Sequence, residues 1–267
     1  MDKNDNVLND FSTKEARFTL ITHQLKLMIV VMFAFFHAAS YAAEQINVVV
    51  GLAKPPYVFE KNNEGYELEL VSHILNKINK TPNFIFVPFG RSPKMFTADD
   101  IDAILTSNKQ LMHGSDMLSD TYITYQNVAI SLKENNFQLK RISDLRNYSI
   151  ASFQSAHKIL GEEFAIASVY SPMYTQVNNQ KKQLELLMKK RVDVIIIDIN
   201  IAQYYLNLLT ETSLKDSVKI HTIFPPSEYS LAFKDKSMIK PFNHALKSFK
   251  NSKTYIELKN KYNYNLQ

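Results

Sequence analysis

The apolar positions of this chain follow two periods, one typical of buried strands and one typical of helices. Residues 46–50, Ile-Asn-Val-Val-Val, are nearly all apolar and β-branched, as in a parallel strand covered on both faces. Pro55 and Pro56 then end the strand, because proline cannot donate a ladder hydrogen bond. From Gly65 to Ile78 apolar residues recur every three or four positions, which predicts a helix. The succession is half of a βαβ unit.

The same alternation continues along the chain and predicts a parallel α/β sheet in each of two halves. Further strands are predicted over 83–87, 101–105, 127–132, 148–151, 192–197, 220–224 and 229–233, and helices over 91–97, 156–164, 183–190, 199–209, 238–250 and 255–262. Ser155 is a predicted N-cap for the helix over 156–164. The segments 102–107 and 193–198 are each a buried strand entered through an aspartate. This echo predicts two similar lobes facing one cleft.

The N-terminal segment has the order of a secretory signal peptide and is excluded from the fold. A weakly basic stretch over 23–26 precedes the unbroken apolar run Leu27 to Phe36, and small residues lead to Ala42 and Ala43. The alternative is a membrane anchor, but the apolar run is well short of the ~20 residues that span a bilayer. We therefore expect cleavage after Ala42. The polar stretch over residues 1–22 either results from a misplaced start site or is a disordered extension before the signal peptide.

Composition excludes several kinds of chemistry. The chain has 267 residues, no cysteine, five glycines and a formal net charge of +5. Without cysteine there is no disulfide framework or thiolate chemistry. Lys and Arg are scattered, so nucleic-acid binding has little support. No phosphate-binding glycine motif or G-x-S-x-G motif occurs, and the histidines lack metal-ligand spacing. We therefore expect no cofactor and no metal.

An ordered set of motifs resembles the bacterial extracellular solute-binding proteins of family 3, in a divergent branch. The resemblance runs from about Asn47 to Tyr262. It rests on Pro55-Pro56-Tyr57, Gly65-Tyr66-Glu67-Leu68-Glu69-Leu70, Ile101-Asp102-Ala103-Ile104, Leu118-Ser119-Asp120-Thr121-Tyr122, Asp144-Leu145, the stretch 191–198 and Lys261-Tyr262. Members of this family are periplasmic receptors of polar amino-acid ABC importers.

The resemblance implies a two-lobed α/β fold of the type II periplasmic binding protein class, with a discontinuous first lobe. We expect a leader and signal peptide over 1–42, lobe one over 43–130 and 230–267, and lobe two over 131–229. Two strands would cross between the lobes, near Ile130 to Leu132 and Tyr229 to Phe233, and let them close on a ligand. The implied ligand contacts are Tyr57, Arg91, Ser107, Asn108, Tyr122, Gln154 and Asp198.

Two of these positions have an alternative interpretation. Asp198 would accept a hydrogen bond from a ligand ammonium, or it is simply the N-cap of the helix that follows, and both can hold. The family usually places an arginine after the third strand, where it grips the ligand's α-carboxylate. This chain has Met112-His113-Gly114 there. Arg91, Lys109 or His113 would have to replace it, or the ligand depends less on its carboxylate. Arg91 is otherwise a solvated residue at a helix start.

Three function classes follow from the resemblance. The first is a monomeric periplasmic receptor that delivers a small polar solute, an amino acid or related compound, to an ABC permease. The second is a ligand-sensing module for a membrane signalling partner. The third is an enzyme on the same scaffold, as in the dehydratases that share it. We expect no enzyme, because no second acid or base accompanies Asp198. A fold alone does not separate these classes.

Overall fold

The computed structural model describes residues 43–52, 54–113, 115–208 and 216–264, together with Met28. The chain divides into two units, Met1–Ala42 and Ala43–Gln267. The predicted signal segment lies outside the described residues, except for the exposed Met28. Within the described part of the chain, no helix is both long enough and apolar enough to span a bilayer. The account below concerns the second unit.

The first sheet has five strands in the order β2-β1-β3-β10-β4. The strands are β1 (Glu44–Gly51), β2 (Lys80–Val87), β3 (Ala103–Ser107), β4 (Ile123–Tyr125) and β10 (Ser227–Phe233). β1 runs parallel to β2 and β3, as its β-branched sequence predicts, whereas β10 is antiparallel to both β3 and β4. The sheet is therefore mixed and not parallel throughout as predicted, and it combines strands from two separate parts of the sequence.

The second sheet has the order β7-β6-β8-β5-β9. Its strands are β5 (Asn127–Leu132), β6 (Ile150–Phe153), β7 (Tyr174–Val177), β8 (Val194–Asp198) and β9 (Val218–His221). β6 is parallel to β7 and β8, and β5 is antiparallel to β8 and β9. β5 and β8 are buried along their whole length. These continuous apolar strands form the centre of the second half of the fold.

The described residues form eight α-helices. They are α1 (Tyr66–Asn76), α2 (Ser92–Met95), α3 (Ala156–Ile159), α4 (Glu162–Tyr170), α5 (Gln180–Met188), α6 (Ile199–Asn207), α7 (Ile239–Lys250) and α8 (Lys253–Lys261). α1 buries Leu70, Val71 and Ile74 and packs on β2, α7 and α8. The three- and four-residue spacing from Gly65 is thus confirmed as the buried face of a helix.

The chain passes between the sheets twice. The first passage is the single residue Gln126, between β4 and β5, and the second runs from His221 to Ser227. The first sheet is therefore built from two separate parts of the sequence, and the fold is a two-lobed α/β fold with a discontinuous first lobe. The expected crossings, Ile130 to Leu132 and Tyr229 to Phe233, lie within β5 and β10.

Some local predictions were wrong. Ser155 does not cap a helix over 156–164: its φ is 63°, its side chain makes no capping bond, and the helix is interrupted between α3 and α4 around Gly161, whose φ is 90°. β3 begins and ends two residues later than the predicted strand over 101–105, so Ser107 is its last residue and Asn108 comes just after it. The strand β7 was not predicted. The end of the predicted helix over 199–209 reaches Leu209, which lies outside the described residues.

Candidate functional site

The site begins with the tight turn after β1. The Tyr57 N–H donates to the Lys54 carbonyl (3.0 Å), and the Lys54 N–H donates to Val58 (3.1 Å). The first N–H groups of α1 then donate back to this turn, Tyr66 to Pro56 and Glu67 to Tyr57 (each 3.0 Å). Helix N-termini leave such donors unsatisfied, so the turn caps the helix with its own carbonyls. Lys54, Tyr57 and Glu67 are thereby brought together.

Glu67 is the centre of a buried polar cluster in the first lobe. Its Oε2 accepts from Lys54 Nζ (2.7 Å) and from the Tyr125 hydroxyl (2.8 Å). Its Oε1 accepts from the Thr106 hydroxyl (2.6 Å) and from the Tyr122 hydroxyl. Lys54 Nζ also donates to the Thr106 hydroxyl oxygen (2.7 Å). Both charges of the Lys54–Glu67 pair are thus hydrogen-bonded, as buried charges must be.

The environment of Glu67 keeps its carboxylate ionised. Burial alone would raise its pKa, but the charge of Lys54 and the hydroxyl donors hold the pKa below the usual value. Burial and the neighbouring Glu67 carboxylate raise the pKa values of Tyr122 and Tyr125, because both disfavour a phenolate. At neutral pH the cluster therefore contains one cation and one anion.

Thr106 holds an uncommon backbone conformation at this point. Its φ is 53°, although it is a buried β-branched residue within β3. Its N–H donates to the Tyr122 hydroxyl oxygen (2.9 Å) rather than to a neighbouring strand. Left-handed β-branched residues are strained, and such strain tends to collect at functional sites. The conformation directs the Thr106 side chain to Lys54 and Glu67.

Asp198 is the carboxylate of the second lobe, at the carboxyl end of β8. Its Oδ1 accepts from the N–H groups of Asn200 (2.9 Å) and Ile201 (3.1 Å), so the predicted N-cap role is confirmed. Its Oδ2 accepts from the N–H of Gln126 (3.0 Å), the residue that joins the two sheets. Burial raises the pKa of Asp198 to about 6, and these backbone donors limit the rise.

Tyr57 connects the two lobes. Its hydroxyl donates to Asp198 Oδ1 (3.0 Å) and accepts from Asn200 Nδ2 (2.8 Å). Its ring is fully buried and stacks on Tyr125, with ring centroids 4.2 Å apart. Two further contacts cross between the lobes: the Gly90 N–H donates to Gln154 Oε1 (3.3 Å), and Phe59 packs edge-on against Tyr204. The described lobes are therefore in direct contact around the site.

A cavity of about 50 Å³ lies between the lobes. It is lined from the first lobe by residues that include Lys54, Phe89, Thr106 and Tyr125, and from the second by residues that include Phe153, Gln154, Asn178 and Asp198. Two buried groups of opposite charge, Lys54 and Asp198, thus face the same space. No cluster of three or more His, Cys, Asp or Glu residues suited to a metal was found among the described residues.

The predicted contact residues fall into three groups. Gln154 and Asp198 line the cavity. Tyr57 and Tyr122 are buried beside it, with their hydroxyls on Asp198 and Glu67. The remaining three lie elsewhere: Arg91 is exposed, Ser107 is buried with its hydroxyl on the Ile104 carbonyl, and Asn108 lines a second groove of about 840 Å³. The assignment of any of them to a ligand stays a prediction.

Sequence reasoning missed the Lys54–Glu67–Thr106 cluster. Lys54 was seen only as the residue before the strand-ending prolines, and Glu67 only as part of the motif Gly65 to Leu70. One signal was present, since Glu67 occupies a position where the helical period places buried side chains, next to Tyr66 and Leu68. A charged residue on the buried face of a helix requires a partner.

Comparisons with known proteins agree with this architecture. The chain is similar to an ancestral arginine-binding protein bound to arginine (TM-score 0.68, 20% identity, covering 83% of this chain and 99% of that one). It is also similar to a substrate-binding protein of an ABC uptake transporter from Streptococcus pneumoniae with bound histidine (0.69, 16%, 84% and 94%). A third similar structure is an ancestral amino-acid-binding protein described as a precursor of cyclohexadienyl dehydratase (0.65, 17%, 82% and 94%).

At these identities the structural likeness establishes the fold alone. A search of curated protein sequences found no match. The family comparison is decisive, because it matches residues 46–265, which is nearly all of the second unit. The chain belongs to the bacterial extracellular solute-binding proteins, family 3.

Proposed function

We propose that this protein is a periplasmic receptor that captures a small polar solute, an amino acid or a related compound, for an ABC importer. The observation that carries the proposal is the cavity between the lobes, which Lys54 and Asp198 both line. Buried charges are costly unless they are paired or bind something. Family membership and the bound amino acids of the similar structures support a ligand of this class.

Asp198 is the proposed acceptor for a ligand ammonium. Its Oδ1 accepts three hydrogen bonds, whereas its Oδ2 accepts one, from Gln126. Oδ2 is therefore the less occupied oxygen and can accept a further hydrogen bond. The charges of Lys54 and Glu67 cancel each other. When Asp198 is ionised, these three buried groups therefore carry a net charge of −1. A charge-assisted hydrogen bond to a ligand cation would balance that charge.

Binding is favoured over catalysis by the state of the second carboxylate. Glu67 is fully buried and holds four donors, so it has little capacity to exchange a proton with a ligand. The lobes would have to separate to admit a ligand, because 50 Å³ is far below the ~300 Å³ at the small end of ligand pockets. We propose that the two lobes rotate about Gln126 and the segment from His221 to Ser227. We also propose that the receptor acts as a monomer.

A thermal-shift screen of the chain from Ala43 onward tests the proposal. The panel is the amino acids, their α-amides, polyamines and other small polar solutes. A ligand at ~100 times its Kd stabilises the native state by about 2.7 kcal/mol. For a domain of this size that corresponds to roughly 5–10 °C. No shift with any member of the panel would contradict the proposed function.

Asp198→Asn tests the proposed ammonium contact. We expect it to weaken a cationic hit at least tenfold in isothermal titration calorimetry, because the amide carries no charge. Asp193→Asn is a matched control, since Asp193 immediately precedes the opposite end of β8 and its carboxylate accepts hydrogen bonds from Ser149. If both variants bind as tightly as the wild type, Asp198 is a helix cap and nothing more.

A further inference from the structure

Lys54 is a buried cation that faces the cavity with part of its bonding capacity unused. It is 6% exposed, and it lines the cavity together with Thr106 and Tyr125. An ammonium has three N–H donors. Two of them go to Glu67 and Thr106, and among the described residues no acceptor takes the third. The cavity is the space in which a further acceptor would be found.

The position of the Lys54 ammonium is fixed by its neighbours. Besides its two hydrogen bonds, it lies 5.1 Å from the centre of the Tyr125 ring, within the range of a cation–π contact. Glu67 holds two tyrosine hydroxyls and the Thr106 hydroxyl in addition to Lys54, so its negative charge is shared among four donors. Lys54 has fewer partners than its counter-ion, which leaves it able to attract a second anion.

The two cavity charges are linked by one stacked pair of rings. Tyr125 lies beside Lys54, and Tyr57, stacked on Tyr125 at 4.2 Å, donates its hydroxyl to Asp198. One small molecule that carries a cation at one end and an anion at the other could therefore meet both charges. A ligand with only a cation would leave the third Lys54 donor unsatisfied in a desolvated site, which is costly.

We propose that Lys54 binds the carboxylate of a zwitterionic ligand whose ammonium lies on Asp198, and that it takes the place of the missing arginine. This inference rests on the proposed function and names the ligand's second charge. It also decides among the residues considered from the sequence. Arg91, Lys109 and His113 are all exposed, and none of the three lines the cavity. Among the described residues, Lys54 is the cationic side chain that lines the cavity.

The ratio of affinities for an amino acid and for its α-amide measures the contact. The amide keeps the ammonium and the side chain but removes the negative charge. The experiment uses the wild type from Ala43 onward and every amino acid that shifts its melting temperature, each paired with its own amide in titration calorimetry. We expect the amino acid to bind at least tenfold more tightly than the amide, as for a charge-assisted contact.

The double variant Lys54→Met/Glu67→Gln removes both charges of the buried pair together. This avoids leaving an uncompensated carboxylate, which is the main risk of Lys54→Met alone. We expect the ratio of affinities to fall to about one, with the affinity for the amide changed less than threefold. Lys109→Met is the matched control: it removes an exposed lysine outside the cavity and should leave the ratio unchanged.

The outcomes separate this inference from the proposed function. If the wild type binds an amino acid and its amide equally, or binds only amines without a carboxylate, Lys54 has no such role, although the receptor function stands. The same holds if the double variant keeps the wild-type ratio. If the double variant does not fold, the ratio is measured in Lys54→Met alone, and a ratio there equal to that of the wild type refutes the inference. Absence of any ligand in the whole panel would overturn both proposals.

Discussion

Tyr57→Phe removes one hydroxyl that joins the two lobes. In the wild type this oxygen donates to Asp198 and accepts from Asn200, both in the second lobe, while the ring stacks on Tyr125 in the first. Phenylalanine keeps the ring and its packing. The substitution therefore tests the polar contact between the lobes and leaves the apolar contacts of the ring in place.

The size of the effect follows from what each partner loses. A hydrogen bond to a charged group contributes about 1.5–3 kcal/mol. Asp198 retains three backbone donors, so it tolerates the loss, but the Asn200 amide is left without the acceptor it has in the wild type. We expect the arrangement with joined lobes to lose about 2 kcal/mol relative to an open one. That corresponds to roughly a thirtyfold shift in their ratio.

Small-angle X-ray scattering of the ligand-free protein measures this shift. We expect a larger radius of gyration for Tyr57→Phe than for the wild type. Tyr125→Phe is the control, because it removes a hydroxyl bond to a carboxylate of the same kind, 2.8 Å to Glu67, but within the first lobe. It should lower the melting temperature without changing the radius.

Two results would refute this reasoning. The first is an equal radius for Tyr57→Phe and the wild type, since the contact would then not hold the lobes together. The second is an equal expansion in Tyr125→Phe, which would mean that general destabilisation and not a contact between lobes opens the protein.

Three further predictions follow from single features. Affinity for a cationic ligand should fall about tenfold per pH unit below pH 6 and stay constant above it, because Asp198 (pKa about 6) becomes neutral at lower pH. Glu67, whose pKa is lowered, stays ionised over this range. Calorimetry from pH 4.5 to 8 that shows no change in affinity would contradict this prediction. Gly65→Ala should lower the free energy of unfolding in urea by about 3 kcal/mol or more, because the φ of Gly65 is 125° and a Cβ would lie 2.3 Å from the Tyr57 carbonyl oxygen. Gly161→Ala should lower it by only about 1–2 kcal/mol, because Gly161 has a φ of 90° but open space around it. Equal losses in the two variants would show that no clash occurs at Gly65. Mass spectrometry of the periplasmic fraction should find a chain that begins at Ala43, and a product retaining residues 27–36 would indicate an anchor.

Strong periodicity predicted the framework of the fold well. The strand over 127–132 matches β5 residue for residue, and the helix predicted from Gly65 begins at Tyr66. Asp198 was predicted as an N-cap, since an aspartate between a strand and an apolar helix is a local signal. By contrast, β7 is a four-residue edge strand with no fully buried residue, so its sequence carries little hydrophobic pattern.

The centre of the site was harder to predict because it depends on pairing distant residues. Glu67 and Thr106 are 39 positions apart, and only the parallel placement of β1 and β3 beside α1 brings them together. The left-handed φ of Thr106 has no sequence signal either, since a β-branched residue normally avoids that conformation. The motif resemblance implied a cleft between two lobes, but it gave no reason to expect that Lys54 would line it.

Gln126 links the two passages between the lobes by hydrogen bonds. Its side-chain amide donates to the carbonyl of Asn127 (3.0 Å), the first residue of β5, and to that of Phe224 (2.9 Å) in the second passage. Its backbone N–H holds Asp198. One residue thus contacts both passages about which the lobes are proposed to rotate, and it also contacts the carboxylate proposed to bind the ligand. If the lobes rotate as proposed, we therefore expect ligand binding at Asp198 and rotation of the backbone at Gln126 to be coupled through a single peptide unit.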